Sequence, residues 1–282
     1  MKLTIGFSPC PNDTFIFDAL LNGALDTDGL EFEPVLEDVE TLNQWAIAGK
    51  LAITKVSYGV VPLILANYGM LNNGGAMGMG VGPLLITTPE NSRLPIETLR
   101  KLPIAIPGEN TTAHLLMSYA FPDWLQKKFM VFHEIEAAIL SGRVAAGVII
   151  HENRFTYSEK GLVLIKDLGK HWEDSLQCPI PLGGIAIQRK LSLHIQKTVN
   201  RLIQQSIELG WQQYPLLSNY VKEHAQEMSE DVMRKHIQLY VNDFSLSAGP
   251  IGKKAVATLL EVYANIRGIS MDAELPVFVL PD

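Results

Sequence analysis

The sequence contains little cysteine, has no excess of positive charge and has no long uninterrupted apolar run. Cys10 and Cys178 are the two cysteines in 282 residues, too few for a disulfide framework or a multi-cysteine zinc site. The 30 acidic and 23 basic residues give a net charge of −7, whereas a non-specific nucleic-acid binder is normally basic. We therefore expect no disulfide framework and no nucleic-acid partner.

The longest stretch without charge, 56–89, does not have the features of a membrane span. Gly59, Pro62, Gly69 and further glycines interrupt it, so no run of ~18–20 apolar residues remains. We interpret it as buried backbone near a cleft or lobe crossover, where small residues allow close chain approach. The N-terminal segment MKLTIGFSPCPND also lacks the apolar core of a signal peptide. We expect a cytoplasmic protein with no membrane partner.

Motifs for several common cofactors and reactions are also missing. His133 and His151 are each followed by glutamate, but neither completes a His-Glu-x-x-His motif. The glycines of 78–83 do not match a dinucleotide fingerprint, because the third glycine is misplaced and Pro83 leads towards a strand. No Walker lysine and no Gly-x-Ser-x-Gly elbow occur. We expect no metal and no cofactor, and acyl-transfer hydrolysis is disfavoured.

What the sequence does contain is an alternation of short apolar runs and helical patterns, in a composition that is 47% hydrophobic. Helices are expected from Asp13 or Thr14, from Asp38 and from Thr111. From Lys190 onwards the pattern is helical. The predicted strands cover 3–7, 30–35, 51–54, 84–88, 103–106, 144–150 and 182–187, and the apolar face of the first late helix carries Ile195, Val199, Leu202, Ile203 and Ile207. This order predicts an α/β fold with a largely parallel sheet.

Two crossovers, near 84–88 and 181–187, divide the chain into two predicted α/β lobes. The outer lobe joins residues 1–88 to residues 183–282, and the middle lobe spans 89–182. Two lobes that are joined by paired strands form a cleft that can close on a ligand.

Polar side chains follow several predicted strands, at the sheet edge where ligands collect in α/β proteins. Lys55 and Ser57 alternate with Val56 at one strand end, where a lysine can attract an anion. The turn 111–113 opens a helix, whose unpaired N–H groups and dipole suit a carboxylate or phosphate. His151 follows an apolar strand and can take and return protons near neutral pH.

Each of these candidates also has a purely structural interpretation. Lys55 could be an ordinary surface lysine, Thr111 only the N-cap of its helix, and His151 a hydrogen-bonded histidine at a lobe edge. Cys10 lies in a strand-end loop, where a small apolar packing thiol is the commoner outcome. The residues taken alone leave these alternatives open.

Several longer blocks resemble one known family. They are SPCPNDTFIF at 8–17, LEDVETLN at 36–43, TKVSY at 54–58, GVGPLL at 80–85 and IIHENRFTY at 149–157. These blocks are similar to 1,4-dihydroxy-6-naphthoate synthase, of the futalosine route to menaquinone. The resemblance continues through YVNDFSL at 240–246 and so covers nearly the whole chain.

The resemblance implies a two-lobed fold like the type II periplasmic binding proteins, with a cleft between the lobes. It implies a carbon–carbon lyase that cleaves cyclic dehypoxanthine futalosine to 1,4-dihydroxy-6-naphthoate and releases the sugar-derived fragment. The partner is then a small-molecule aromatic carboxylate, and no cofactor is required. The family's proton-accepting histidine falls on His151, and its substrate-contacting segments fall on Lys55, Val56 and Ser57 and on Thr111, Thr112 and Ala113.

We add four candidate supporting residues from the same strand-end loops: Asn12, Asp38, Asn153 and Arg154. Two other functions stay open. Chorismate dehydratase, from the same pathway, resembles the same fold, although the SPCPNDTF and HENRFTY blocks favour the naphthoate synthase. A solute-binding protein for a small carboxylate shares the architecture, but the expected lack of a signal peptide argues against it.

Overall fold

The computed structural model describes residues 1–225, 229–270 and 275–280. Its strands form two separate sheets with helices packed on them, so the predicted α/β class is confirmed. In chain order the strands are β1 (Lys2–Phe7), β2 (Glu31–Leu36), β3 (Ile53–Ser57), β4 (Tyr68–Met70), β5 (Ala76–Gly78), β6 (Leu84–Thr87), β7 (Ile104–Ile106), β8 (Lys127–Phe129), β9 (Ala146–Ile149), β10 (Val163–Asp167) and β11 (Ile180–Gln188).

Both sheets mix parallel and antiparallel pairs. The first has the order β2-β1-β3-β11-β4, and β5 also pairs with β11. There β1 is parallel to β2 and β3, whereas β11 is antiparallel to β3, β4 and β5. The second has the order β10-β6-β9-β7-β8, in which β7 is parallel to β8 and β9 and β6 is antiparallel to β9 and β10. The largely parallel prediction is wrong beside β6 and β11, because these strands carry the chain from one sheet to the other.

The helices pack against the two sheets and fill the C-terminal part of the chain. In chain order they are α1 (Pro11–Leu21), α2 (Val39–Ile47), α3 (Val61–Ile64), α4 (Ile96–Leu99), α5 (Thr112–Ala120), α6 (Ile135–Leu140), α7 (Asn153–Thr156), α8 (Leu168–Leu176), α9 (Leu193–Gln213), α10 (Asn219–His224), α11 (Glu230–Tyr240), α12 (Asp243–Leu246) and α13 (Gly249–Arg267).

The predicted apolar face of α9 is buried, in one core with the side chains of β1 and α1. Its fully buried members are Val199, Leu202, Ile203 and Ile207, and Ile195 is partly buried beside them. Burial of such aliphatic side chains stabilises a fold by about 1.5–3 kcal/mol each. The i, i+3, i+4 spacing in the sequence was therefore sufficient to locate this packing surface.

The largest differences between predicted and observed element boundaries are at α1 and β3. Helix α1 begins at Pro11 with Cys10 as its N-cap, not at Asp13 or Thr14, because proline lacks an N–H and suits the first helical position. Strand β3 runs from Ile53 to Ser57 and not over 51–54, because its ends are fixed by pairing with β1 and β11. The short strands β4, β5, β8 and β10 were not predicted.

The uncharged stretch 56–89 contains β4, β5 and β6, and most of it is buried as predicted. At its crossover, the backbones of Gly82 and Gly169 lie so close that a Cβ on Gly82 would sit 2.2 Å from the Cα of Gly169. Glycine is therefore required there. In the part of the chain that the structure describes, no helix is both long and apolar enough to cross a membrane.

The division into an outer lobe of 1–88 plus 183–282 and a middle lobe of 89–182 stays a prediction. Residues 226–228, 271–274 and 281–282 of the predicted outer lobe lie outside the described ranges. The strand pairing favours earlier boundaries at both crossovers. Strand β6 already belongs to the second sheet, and β11, from Ile180, already belongs to the first. The first lobe is the part of the protein built on the sheet that contains β1, and the second lobe is the part built on the sheet that contains β6.

The close contact between Gly82 and Gly169 predicts a stability effect. Gly82→Ala should lower the free energy of unfolding by about 1–3 kcal/mol, because the new methyl group meets backbone that cannot rotate away. Gly75→Ala is the matched control, since the nearest atom to its Cβ would be 3.6 Å away, and it should cause no loss of stability. Urea denaturation measures both, and equal stability of the two variants would contradict the packing described here.

Candidate active site

A pocket lies between the two sheets, where strand ends from both lobes meet. All seven residues predicted to act on the substrate line this pocket: Lys55, Val56, Ser57, Thr111, Thr112, Ala113 and His151. Strand β3 supplies the first three, the start of α5 supplies the next three, and His151 follows β9. The structure thus brings together residues that are up to 96 positions apart in the chain (151 minus 55). Their chemical roles stay predictions.

Lys55 is not a surface lysine. Its Nζ lies 2.8 Å from Oδ1 of Asp13, and both side chains are almost fully buried. The same Nζ donates to the carbonyl oxygen of Gly74 at 2.8 Å. A buried ion pair of this kind is tolerated when further hydrogen bonds satisfy both partners. The charge of Lys55 is therefore directed first to Asp13, and a bound anion would have to share it.

Asp13 is the centre of a hydrogen-bond network that the sequence analysis missed. Its Oδ2 accepts from the backbone N–H and the hydroxyl of Ser8 at 3.2 and 2.7 Å, and its Oδ1 accepts from Nδ2 of Asn12 at 2.9 Å. The sequence pattern predicts only a helix cap at Asp13 or Thr14. The polar run Ser8–Asp13 after β1 was the available signal, because such a run at a strand end places several polar groups near one another.

Ser57 is held by a second residue that the sequence analysis missed, Asn43 of α2. Oδ1 of Asn43 accepts from the backbone N–H of Ser57 at 2.9 Å, and its Nδ2 donates to the Ser57 hydroxyl oxygen at 3.2 Å. Asn43 is fully buried. With its oxygen engaged as an acceptor, the Ser57 hydroxyl can direct its own proton into the pocket.

The two threonines at the start of α5 use their hydroxyl groups within the protein. Thr111 is the N-cap: its Oγ1 accepts from the backbone N–H of His114 at 3.1 Å and donates to the carbonyl of Gly108 at 3.0 Å. Oγ1 of Thr112 donates to the carbonyl of Leu182 at 2.7 Å and accepts from the N–H of Gly59 at 3.0 Å. A hydroxyl has one proton to donate, so in this arrangement the backbone N–H groups are the donors that a ligand could use.

These contacts of Thr112 join the two lobes, because Gly59 and Leu182 belong to the first and Thr112 to the second. A Cβ on Gly59 would lie 2.9 Å from backbone atoms of Thr111 and Thr112, so the backbone segments of the two lobes are in contact here. Nearby, Glu40 of α2 accepts from the backbone N–H and Nδ2 of Asn110 at 3.0 and 2.8 Å. The lobes are therefore closed on the pocket.

His151 has a strained backbone. Its φ is +57°, a left-handed conformation that costs a non-glycine residue energy and that is concentrated at functional sites. The turn places the imidazole on the pocket wall, with its ring centre 4.9 Å from that of Phe132. The apolar strand β9, buried throughout, provides the rigid support from which the side chain extends.

The surroundings of His151 keep its imidazole neutral. Burial lowers the pKa of His151 below its ordinary value of 6.5, and the carboxylates of Glu152 and Asp13 oppose this shift without cancelling it. Neutral imidazole is the form that can accept a proton. The site can therefore present a base on one side and hydrogen-bond donors on the other.

The four candidate supporting residues have different positions. Asn12 lines the pocket, whereas Asp38 is the N-cap of α2 and accepts from the N–H groups of its first turn. Nδ2 of Asn153 donates to Glu136. Arg154 donates to the carbonyl of Gly82 and lies 3.8 Å from Asp167. Three of them thus secure loops and helix ends, and Asn12 is the one that faces the pocket.

Cys10, His151 and Glu152 are the described residues whose donor atoms approach a metal-like arrangement, all within 4.8 Å of one another. Burial, with the nearby Glu152 carboxylate, raises the pKa of the Cys10 thiol well above its ordinary value. A thiol that stays protonated is a poor metal ligand and a poor nucleophile. Cys10 therefore fits the packing interpretation, and the expected lack of a metal stays a prediction.

Comparison with known proteins gives matches over nearly the full chain. Residues 3–265 match the family described as menaquinone biosynthesis. The chain is 41% identical over 277 residues to the 1,4-dihydroxy-6-naphthoate synthase of Thermus thermophilus, covering 98% of this chain and 99% of that protein. It is 39% identical over 263 residues to the protein of the same name from Streptomyces coelicolor, covering 92% and 91%.

Solved structures agree with the fold. A crystal structure of a protein from Archaeoglobus fulgidus superimposes with a TM-score of 0.87 at 31% identity, covering 95% of this chain and 98% of that one. The alkanesulfonate-binding protein of Xanthomonas axonopodis pv. citri superimposes with a TM-score of 0.72 at 12% identity, covering 98% and 96%. The second likeness concerns the fold alone and confirms the two-lobed, periplasmic-binding-protein-like architecture. From its sequence and its fold together, the chain belongs to the menaquinone biosynthesis family.

Proposed function

We propose that this protein is a carbon–carbon lyase that converts cyclic dehypoxanthine futalosine to 1,4-dihydroxy-6-naphthoate in the cytoplasm. The observation that carries the proposal is the position of His151, a neutral imidazole on the wall of a pocket that both lobes line. The names of the relatives from Thermus thermophilus and Streptomyces coelicolor support the same activity. The reaction as proposed moves a proton and breaks a bond, and it requires no cofactor.

In the proposed reaction, His151 accepts a proton from the substrate. The electron pair left by that proton forms a new π bond in the sugar-derived fragment as the carbon–carbon bond to this fragment breaks. The electrons of the broken bond become negative charge on the aromatic part, until a proton neutralises it. Donors that are already in place stabilise such charge, because they need not reorganise during the reaction. Closure of the lobes over the pocket excludes water from the intermediate.

The substrate carboxylate is assigned to the start of α5. Helix N–H groups that have no partner within the helix, together with the helix dipole, favour an anion at this position. We assign the backbone N–H groups of Thr112 and Ala113 as donors, and the hydroxyl of Ser57 from the opposite lobe as a third. The hydroxyl of Thr112 has a different role in this proposal: it holds the two lobes together around the ligand.

Replacement of His151 tests the proposed base. His151→Ala should lower kcat by about two to four orders of magnitude with purified cyclic dehypoxanthine futalosine, the usual range for loss of a general base. His224→Gln is a matched control, because His224 packs on Tyr220 at 4.5 Å between ring centres and lies on α10, away from the pocket. A folded His151→Ala variant with near-normal turnover would remove His151 from this role. Turnover of chorismate by the wild-type protein would replace the proposed reaction by chorismate dehydration.

The lowered pKa of His151 predicts the pH dependence. The base works only when it is neutral, so activity falls as the pH drops through the pKa of His151, which lies below 6.5. The acid limb of kcat/KM should therefore have its midpoint below pH 6.5, and more than half of the maximal value should persist at that pH. A pH–rate profile of the wild-type protein measures this. A midpoint above 6.5 would contradict a lowered pKa of the His151 imidazole.

Thr112 tests the contact between the lobes. Thr112→Val keeps the side-chain shape but leaves the Leu182 carbonyl and the Gly59 N–H without their partner, so product should bind more weakly by about 1–3 kcal/mol. Thr112→Ser keeps the hydroxyl and should bind product as the wild type does. Calorimetric titration with 1,4-dihydroxy-6-naphthoate compares the two. Equal affinities would show that this hydroxyl does not stabilise the closed form.

A further inference from the structure

Two ionisable side chains beside His151 are buried and carry polar atoms without a hydrogen-bond partner. Glu152 is 7% exposed and His236, on α11, is fully buried. Oε2 of Glu152 and Nε2 of His236 are 3.8 Å apart. Within the described residues, neither of these atoms has a hydrogen-bond partner, and nor does Nδ1 of His236. Buried polar atoms in native proteins are nearly always hydrogen-bonded. The lack of hydrogen bonds at Glu152 and His236 therefore needs an explanation other than packing.

The pair is next to His151 but is not part of the pocket wall. The rings of His151 and His236 are nearly parallel, with centres 6.1 Å apart and planes at 19°. Tyr240, one helical turn after His236, lines the pocket and contacts the His236 ring at 4.7 Å. Among the described residues that line the pocket, neither Glu152 nor His236 is included. The pair can therefore act on a reaction in the pocket through its neighbours in the wall, His151 and Tyr240, and His151 is the one of these that the proposed function makes a base.

We infer that Glu152 and His236 are positioning residues for the proposed base, a buried carboxylate–imidazole pair that stabilises the protonated form of His151. This inference rests on the proposed function, because stabilising that form matters only if His151 takes a proton. When the substrate proton moves to His151, the imidazole becomes a cation, and the Glu152 carboxylate beside it favours that charge. A shift of about 1 Å would bring His236 to hydrogen-bond distance of Glu152 and hold the carboxylate in place.

The other charged groups around His151 are already committed to partners. Asp13 is paired with Lys55 at 2.8 Å, and Asp38 accepts from the backbone of α2. Glu152, by contrast, has no lysine or arginine within ion-pair distance in the described part of the chain. The remaining titratable groups near His151 are Cys10 and Tyr240, whose pKa values burial raises so that both stay neutral. Glu152 is therefore the carboxylate whose charge His151 can best use.

Substitutions of both residues test the inference. Glu152→Gln keeps the shape and removes the charge, so the pKa of the His151 imidazole, measured by NMR titration without substrate, should fall by about one unit. The acid limb of kcat should move to lower pH by a similar amount, and kcat should fall about tenfold with little change in KM, because the base is weaker. His236→Leu removes the donor and should lower kcat in the same direction, whereas His236→Gln retains a donor and should restore part of the loss.

Asp231→Asn is the control, because it removes an exposed negative charge from the same helix, where Asp231 pairs with Lys235. It should leave the His151 titration and kcat unchanged. An unchanged His151 titration in folded Glu152→Gln would overturn the inference, as would wild-type kcat in folded His236→Leu. The titration needs no turnover, so it separates this failure from a failure of the proposed base, which His151→Ala reports.

A measurement on the wild-type protein covers the case in which the variants do not fold. With 1,4-dihydroxy-6-naphthoate bound, the imidazole N–H of His236 should give a low-field proton resonance that exchanges slowly with water, as expected of a buried hydrogen bond to a carboxylate. Rapid exchange of that proton in the complex would show that the pair does not form.

Discussion

The contact between Gly59 and the start of α5 is the constraint on which the pocket depends. Glycine at position 59 lets the backbones of the two lobes touch, and the Thr112 hydroxyl then accepts from the N–H of Gly59 and donates to the Leu182 carbonyl of β11. Glu40 and Asn110 form a second bridge close by. These contacts hold the start of α5 and the end of β3 on the walls of one pocket. Because interactions from both sides exist only in the closed form, any ligand that uses both will stabilise that form.

Much of the site could be predicted because its residues follow strands that periodicity reveals. His151 is an example: the apolar run in the sequence predicts the buried strand β9, and the polar residue that follows this strand lies at the pocket edge. What could not be predicted is pairing over long distances. Nothing local indicates that Lys55 meets Asp13, that Asn43 holds Ser57, or that His236 stacks near His151, because each pair is brought together by the arrangement of the sheets.

The hydrogen-bond partners of hydroxyl groups also could not be predicted from the sequence. The sequence places Thr111 and Thr112 at a helix start that suits an anion, where each hydroxyl is a further candidate donor. In the fold, both hydroxyls already donate to carbonyl groups of the protein. To know which hydroxyl groups are free to donate to a ligand, one must know which acceptors of the protein lie near them. That depends on how the lobes pack. The helix start remains a suitable anion site through its backbone, which is independent of the side chains.

The fold is shared with proteins that bind solutes, and the difference lies in the chemistry placed on the pocket wall. A binding protein needs donors and closure; a lyase also needs a base that is neutral when substrate arrives and stabilised once protonated. In the mechanism we propose, the strained turn at His151 and the buried acid Glu152 beside it supply these two properties. The most direct test is a crystal structure with 1,4-dihydroxy-6-naphthoate bound. We expect its carboxylate at the N–H groups of Thr112 and Ala113 and its ring system within reach of the His151 imidazole, with contacts to both lobes. Product bound to one lobe alone, or with its carboxylate away from α5, would contradict this account.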